Sequence, residues 1–391
     1  MSARAAGAGP TRPTHRQPPA APSWRRSLER VLADPERHVS LAYQPVVDLQ
    51  RGAVVGYEAL ARFAGPPSAP PDRWFAAAAG EGLAPQLEAV VLEQALPTRL
   101  ELPPDCFLSV NISPNLVLDR IVQRVLADAG DLPGVVLELT EHDRIDDYGG
   151  LRRALSRLRS CGVDVAMDDA GAGYAGLSSL LALRPDMVKL DRSLIAGIDL
   201  DPVKRELVEL LGSMAGRMDA WVLAEGIERE EELDTLVRLG VPLGQGFLLG
   251  RPAPERRGLD EATGRRIRDH ARAEADGDAV SALLEHVAAV PEGAEAEAVA
   301  RFTSEPSLEA VPVLDRWDRP VGLHRRAEAL VGAEPASEVL RVQAVESVAA
   351  VARRAMGRPR ASRFDPLLCC DGRGRYRGVV RVERLLEALA H

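Results

Sequence analysis

The 391-residue sequence is poor in cysteine, aromatics and uninterrupted apolar stretches. Its four cysteines, Cys106, Cys161, Cys369 and Cys370, are too few and too irregularly spaced for a disulfide framework or a zinc ribbon. Cys369 and Cys370 stand in an apolar run and read as packing residues, so a reducing compartment is expected. No run of about 18 uncharged apolar residues occurs, so no membrane span is expected. The N-terminal stretch rich in Arg, Pro and Ala has no apolar h-region and is not read as a secretory signal. Residues 1–26 read instead as a disordered tail, and the expected location is cytoplasmic. Basic residues are outnumbered, 49 Lys+Arg against 58 Asp+Glu, and the net charge of −9 argues against a nucleic-acid partner. Aromatics make up only 4%. Trp24 and Trp74 are read as anchors between helices and core rather than stacking platforms.

What the chain does have is alternation. From 27 to 263, short apolar runs such as "SLAYQPVVDL", "AVVGYEALARF", "CFLSVNIS", "GVVLELTE", "VDVAMDD", "DMVKLD", "WVLAEGIE" and "GQGFLLG" read as strands. Between most of them lie stretches whose apolar residues recur at three and four, the spacing of one helical face. This predicts an α/β fold, a TIM-like (β/α)8 barrel. The charged run "EREEELD" reads as the solvated first turns of a helix. Residues 264–277 read as the barrel's last helical stretch running into a helical linker. In 278–391 two similar halves align Asp315 with Asp371, Arg319 with Arg375 and Gly322 with Gly378. Such a repeat predicts a paired, smaller α+β module.

The predicted strand ends carry the chemistry. They deliver Glu58, Asn111, Glu138 with Glu141, Asp168 with Asp169, Lys189 with Asp191, Glu225 with Glu228, and Gln245. Polar residues at the C-terminal ends of barrel strands converge on one pocket. So many carboxylates cannot stay ionised together without cations. With oxygen donors alone, the pattern suits two hard ions, Mg²⁺ or Mn²⁺, serving a phosphoryl displacement. Lys189 would orient the attacking water and neutralise developing charge. His142, beside Glu141, reads as a surface histidine.

A competing signal is the spacing of Gly171, Gly173 and Gly176 with Asp191 further on, a dinucleotide-cofactor fingerprint. Asp168 and Asp169 at that loop's entrance would repel a pyrophosphate, and Glu58, Asn111, Glu138 and Glu225 would be left without roles. The glycines are read as letting the loop turn sharply beside the metals.

"YEALAR", with "YQPVVDL", "SVNISP", "LELTE", "DDAGAGYAGL", "VKLDRSLI", "AEGIE" and "GQGFLLGRP" in order, resembles the EAL family of cyclic di-GMP phosphodiesterases over 27–263. The resemblance implies hydrolysis of one phosphodiester bond of cyclic di-GMP to linear pGpG by a two-metal mechanism. It implies metal coordination by Glu58, Asn111, Glu138, Asp168, Asp169 and Glu225, the last directly or through water. It also implies that Lys189 helps activate the water and that Glu141 holds the loop after Asp169. Gln44 and Arg62 would contact the bound dinucleotide, while Asp191, Glu228 and Gln245 would support the site. Ala170 stands where the family usually has Phe. The alternative is a receptor that binds cyclic di-GMP without cutting it. The tail, from about Asp278, is similar to a pair of CBS modules in a degenerate form. Arg325 and Arg381 occupy the places of nucleotide-binding hydroxyls, with Glu328 and Arg384 three residues beyond. They are expected to fill the cleft or pair with acids such as Glu328 and Glu383. No adenine nucleotide is expected there; a regulatory or dimerisation role, with a homodimer, is.

Overall fold

The structure, a computed structural model, describes residues 23–103, 106–140, 145–168, 174–274, 280–343, 346–370 and 374–390. Eight strands close a barrel in sequence order. They are β1 Val39–Asp48, β2 Ala53–Phe63, β3 Phe107–Ile112, β4 Val135–Leu139, β5 Asp164–Met167, β6 Met187–Leu190, β7 Trp221–Ala224 and β8 Leu243–Gly244.

Two features depart from a regular (β/α)8 barrel. β1 runs antiparallel to both neighbours, β2 and β8, while β2 to β8 are mutually parallel. The cause is local: β1 and β2 are joined by a tight turn, and a parallel crossover needs a dozen or so residues. Asp48 Oδ1 accepts from the backbone N–H of Gln50 and Arg51, each at 2.8 Å, and Gly52 adopts φ +56° to complete the turn. The second departure is β8. The run "GQGFLLG" is expected to be a strand throughout, yet pairing stops at Gly244. Beyond it the chain coils, with Leu249 and Gly250 donating to Gly246 O at 3.1 and 2.9 Å.

Helices alternate with the parallel strands, and several start on an aspartate cap. Asp119 accepts from Ile121 N, Asp147 from Gly150 N and Asp201 from Val203 N. The helix Glu261–Glu274 covers most of the predicted linker. It buries Ile267 and Ala271 in the barrel core, and Arg266 holds Asp234 through Nε at 2.9 Å and Nη2 at 2.6 Å. At the other end, a helix starts at Trp24. Trp24 packs edge-on against the fully buried Trp74, ring centres 5.3 Å apart, as the anchoring expectation has it. No helix among the described residues is long and apolar enough to cross a membrane.

The lumen explains where the site must lie. One apolar residue from each strand (Val46, Val55, Phe107, Val136, Ala166, Met187, Leu223, Leu243) fills a layer inside the barrel. Strand side chains alternate with a period of two, so the next inward positions on β4 to β8 are Glu138, Asp168, Lys189, Glu225 and Gln245. The polar residues therefore sit one step above a dry plug, at the C-terminal mouth.

The tail folds as two units of identical order. The first is β9 Val290–Pro291, a helix Glu295–Ser304, β10 Ala310–Leu314, β11 Pro320–Arg325 and a one-turn helix. The second is β12 Arg341–Gln343, a helix Val348–Met356, β13 Leu367–Cys370, β14 Tyr376–Val380 and a helix Val382–Leu389. In each unit the first strand pairs parallel with the second, which pairs antiparallel with the third. The repeat is thus a repeat of structure, and each unit completes the other. The segment before β9 bridges to β14 at Glu285–Val379, and the segment before β12 bridges to β11 at Ala336–Leu323. Cys369 and Cys370 are buried, as packing residues should be.

Candidate active site

Lys189 is the centre of the site. Its side chain is 1% exposed, and its Nζ lies 2.6 Å from Glu138 Oε2, 2.6 Å from Glu225 Oε1 and 3.4 Å from Asp168 Oδ1. Strand register brings these together: β6 lies between β5, which ends just before Asp168, and β7, which ends just before Glu225. Across the mouth, Glu58 on β2 accepts from Asn111 Nδ2 at Oε1 and from Gln245 Nε2 at Oε2, both at 2.7 Å. The amides of β3 and of the residue after β8 thus fix both oxygens of one carboxylate. Gln44 pairs opposite Glu58 in the β1–β2 register and donates to Gly250 O at 3.1 Å. Arg62, four residues beyond Glu58 on β2 and so on the same face, donates to its neighbour Ala61 O at 2.9 Å.

The charges do not balance. Glu58, Glu138, Asp168 and Glu225 bring −4 when ionised and Lys189 brings +1, leaving −3 in a mostly buried cluster. Burial, only partly opposed by Lys189, pushes Glu138 up to about 8 and Glu225 up to about 7. Glu58 is also deeply buried, but the Lys189 charge and the two amide donors carry it below the ordinary glutamate range. Lys189 is the mirror image: burial disfavours its charge, yet Glu138, Glu225, Glu58 and Asp168 hold it well above the usual lysine value. It is a permanent cation here, a donor rather than a base.

That surplus of negative charge, made of oxygen donors alone, fits hard divalent cations. A second sign is Gln245 Oε1, a buried acceptor with no partner among the described residues. Among the described residues no three acidic side chains already form a ligating array. Lys189 and the amides occupy the facing oxygens instead.

Other predicted residues lie at the margin. Asp191 caps the one-turn helix that follows β6, accepting from Ser193 N at 2.7 Å. Glu228 is exposed and accepts from Arg192 Nη2 at 2.7 Å. Glu141, His142, Asp169, Ala170, Gly171 and Gly173 lie outside the described residues.

Two acids escape the sequence reading. The run "EREEELD" is not wholly solvated: Glu232 is 4% exposed and accepts from Gly197 N, Glu228 N and Arg229 N at 2.9–3.1 Å. It clamps the loop that follows Glu225. A Glu at the third helical position is the capping-box signal that marks it. Glu88, also buried, accepts from Ser113 N at 2.7 Å and fixes the chain beyond Asn111. No local sequence signal announces it.

Comparison with known proteins places the barrel in a family. The chain is 34% identical over 235 residues to the uncharacterized protein y4lL of Sinorhizobium fredii, covering 58% of this chain and 28% of that one. It is 31% identical over 233 residues to the cyclic di-GMP phosphodiesterase RocR of Pseudomonas aeruginosa, covering 57% of this chain and 59% of RocR. It therefore spans less than two thirds of either relative. Among solved structures, the PaMucR phosphodiesterase in complex with c-di-GMP superposes with a TM-score of 0.52 at 30% identity, covering 59% of this chain and 97% of that one. The EAL domain profile matches residues 25–252, the stretch that builds the barrel and its acidic mouth, and the chain belongs to the EAL domain family.

Proposed function

We propose that the barrel hydrolyses one phosphodiester bond of cyclic di-GMP to linear pGpG, lowering the concentration of this second messenger. The observation that carries the reading is the buried Lys189 cluster with the amide-fixed Glu58 opposite it, at the mouth where barrel enzymes work. The similarity to RocR and PaMucR, both named as phosphodiesterases, supports it.

Glu58, Asn111, Glu138, Asp168, Asp169 and Glu225 would hold two divalent ions, Mg²⁺ or Mn²⁺. Bound there, the ions supply charge compensation for the attacking and leaving oxygens of an in-line displacement. The protein's own groups do the rest. Lys189 keeps its proton, orients the water by donating to it, and offsets the charge that builds at phosphorus. Gln245 fixes one oxygen of Glu58 and Asn111 the other, so that carboxylate does not rotate during turnover. Arg62 and Gln44, on the β1–β2 hairpin, hold the dinucleotide's phosphate and base edges. Asp191 and Glu228 would support the loops around the mouth, and by the family resemblance so would Glu141, which lies outside the described residues. In the net step the water oxygen bonds to phosphorus as the bond from phosphorus to the leaving sugar oxygen breaks. One water proton ends on that sugar oxygen and the other on the new terminal phosphate or in solvent.

The paired tail we read as a CBS-like module that takes no adenine nucleotide and contributes to a homodimer. Its key arginines are already engaged. Arg325 is forked between Asp365, at 2.7 Å, and Glu328, at 2.9 Å. Arg381 turns to Glu285 at 2.6 Å rather than to Glu383. A second messenger as substrate fits a cytoplasmic protein. The functional test is direct: the purified chain, cyclic di-GMP and Mg²⁺ or Mn²⁺, with the product separated by chromatography. Linear pGpG is the expected product; binding without turnover would make the chain a receptor.

A further inference from the structure

The paired module is seated on the barrel's floor, the mouth opposite the site. We infer that its Arg319 and Arg341 are positioning residues for the barrel, holding from below the strands that present Asp168, Lys189 and Glu225. The inference rests on the phosphodiesterase reading and adds to it how the site is held.

The floor under β5–β7 is acidic. Asp164 begins β5, Asp186 immediately precedes β6, and Asp219 stands two residues before β7. The three acids share one lined recess with Arg319 and Arg341. Three carboxylates this close repel one another unless cations stand among them. One cation facing them, Arg159, is the barrel's own; the module adds Arg319 from its first unit and Arg341 and Arg354 from its second. Arg319, just before β11, reaches Asp164 Oδ1 through Nη1 at 2.9 Å and is braced by Asp315 at 3.2 Å. Arg341, the first residue of β12, lines the same recess as Asp164, Asp186 and Asp219. Asp186 is further tied to Arg159 Nε and to Val165 N, each at 3.0 Å, which joins the floor of β6 to β5. The seat is shaped as well as charged. A side chain at Gly162 would meet the Trp317 ring at 3.0 Å, and Arg316 beside it reaches Asp131 and donates to Ser160 O at 3.2 Å.

Floor and site are the two ends of the same short strands. On β5, Asp164, Ala166 and Asp168 stand on one face, acid below, plug in the middle, acid above. On β7 the same column is Trp221, Leu223 and Glu225. Four residues of strand span only about 13 Å. A shift of β5 or β7 along its axis therefore passes through the packed layer directly to Asp168 or Glu225. Misplacement of reacting groups by about 1 Å can cost on the order of 100-fold in rate. The ion pairs between module and barrel among the described residues fall on Asp131, Asp164 and Asp219, and none falls on β1 or β2. The hairpin that carries Gln44 and Arg62 is left alone.

This asymmetry defines the test in the full chain. Reversing both charges, Arg319→Glu with Arg341→Glu, should unseat the module. Hydrogen exchange should then quicken in β5–β7 and around Arg319, while β1–β2 keeps native protection. With it kcat for cyclic di-GMP should fall by about tenfold or more, with KM unchanged within about threefold. The conservative pair Arg319→Lys with Arg341→Lys should restore most of the turnover. If the double reversal does not fold, Arg319→Ala alone carries the same expectation at a smaller loss. Quickened exchange with native kcat would overturn the inference, and so would a charge reversal that leaves exchange unchanged. A native chain that cuts nothing, yet loosens as described, would instead overturn the phosphodiesterase reading and leave the seating in place.

Discussion

Replacing Lys189 by methionine removes a charge and leaves the length of the side chain nearly intact. The native ammonium is 1% exposed and stands within 3.4 Å of three carboxylates. Without it Glu58, Glu138, Asp168 and Glu225 share a buried mouth with no cation of their own. Removing one member of a buried ion cluster costs about 3–5 kcal/mol, because the partners are left uncompensated. A domain of this size loses about 2–4 °C of melting temperature per kcal/mol. The metal-free variant should therefore melt about 6–20 °C below the native chain at neutral pH. Acid should narrow the gap, since protonated carboxylates no longer need the lysine, and added Mg²⁺ or Mn²⁺ should narrow it at neutral pH by replacing the lost charge. Turnover should fall by about 100- to 1000-fold, the usual cost of removing a charge-stabilising donor. Calorimetric melts in chelator and in metal, paired with a turnover assay, read all of this. A metal-free variant melting within about 2 °C of native at neutral pH would refute the claim that Lys189 is the cluster's essential counter-charge.

Other expectations follow from the same geometry. Glu58→Ala should abolish hydrolysis, whereas Arg62→Ala should chiefly raise KM; near-native turnover of Glu58→Ala would remove that carboxylate from the metal site. Glu138, Glu225, Asp164 and Asp219 are raised to about 8, 7, 6 and 6, burial being the first cause in each. Folding therefore takes up protons. The stability they contribute is complete below their unfolded values and is lost as pH rises between roughly 4 and 8. Melts in chelator should fall from pH 5 to pH 8, and metal should help more at pH 8 than at pH 5; a rising melting temperature over that range would contradict this. Activity should require Mg²⁺ or Mn²⁺ and be inhibited by Ca²⁺, whose longer bonds poorly fit a paired site, as titration of each ion into the assay would show. Calorimetry with AMP or ATP on the full chain should show no binding at the paired module, because Arg325 and Arg381 are saturated by acids; micromolar binding would overturn that reading.

The barrel was legible because inward and outward positions alternate strictly along most strands. Glu138, Lys189 and Gln245 follow an apolar plug residue by two, which is readable without coordinates. Strand direction is not encoded by that period, so β1 was expected to run with the others. The information was in the connection, where Asp48 and Gly52 build a turn too short for a crossover. The short β8 was hidden for a related reason: "FLLG" has a strand's composition but coils beyond Gly246. Contacts between distant segments left no local trace. Arg319 and Arg341 read as ordinary charges until the fold sets them in one recess with Asp164, Asp186 and Asp219. Likewise Arg381 finds Glu285, 96 residues away, and not the nearby Glu383.

The central claim is that this acidic mouth cuts cyclic di-GMP only with divalent ions in place. It is tested most directly by one chelation and add-back series on the purified chain. Substrate binding and the appearance of linear pGpG are followed in the same samples. The account predicts no product in excess chelator and linear pGpG on return of Mg²⁺ or Mn²⁺. Undiminished turnover in chelator, or tight binding with no product at any metal concentration, would contradict it.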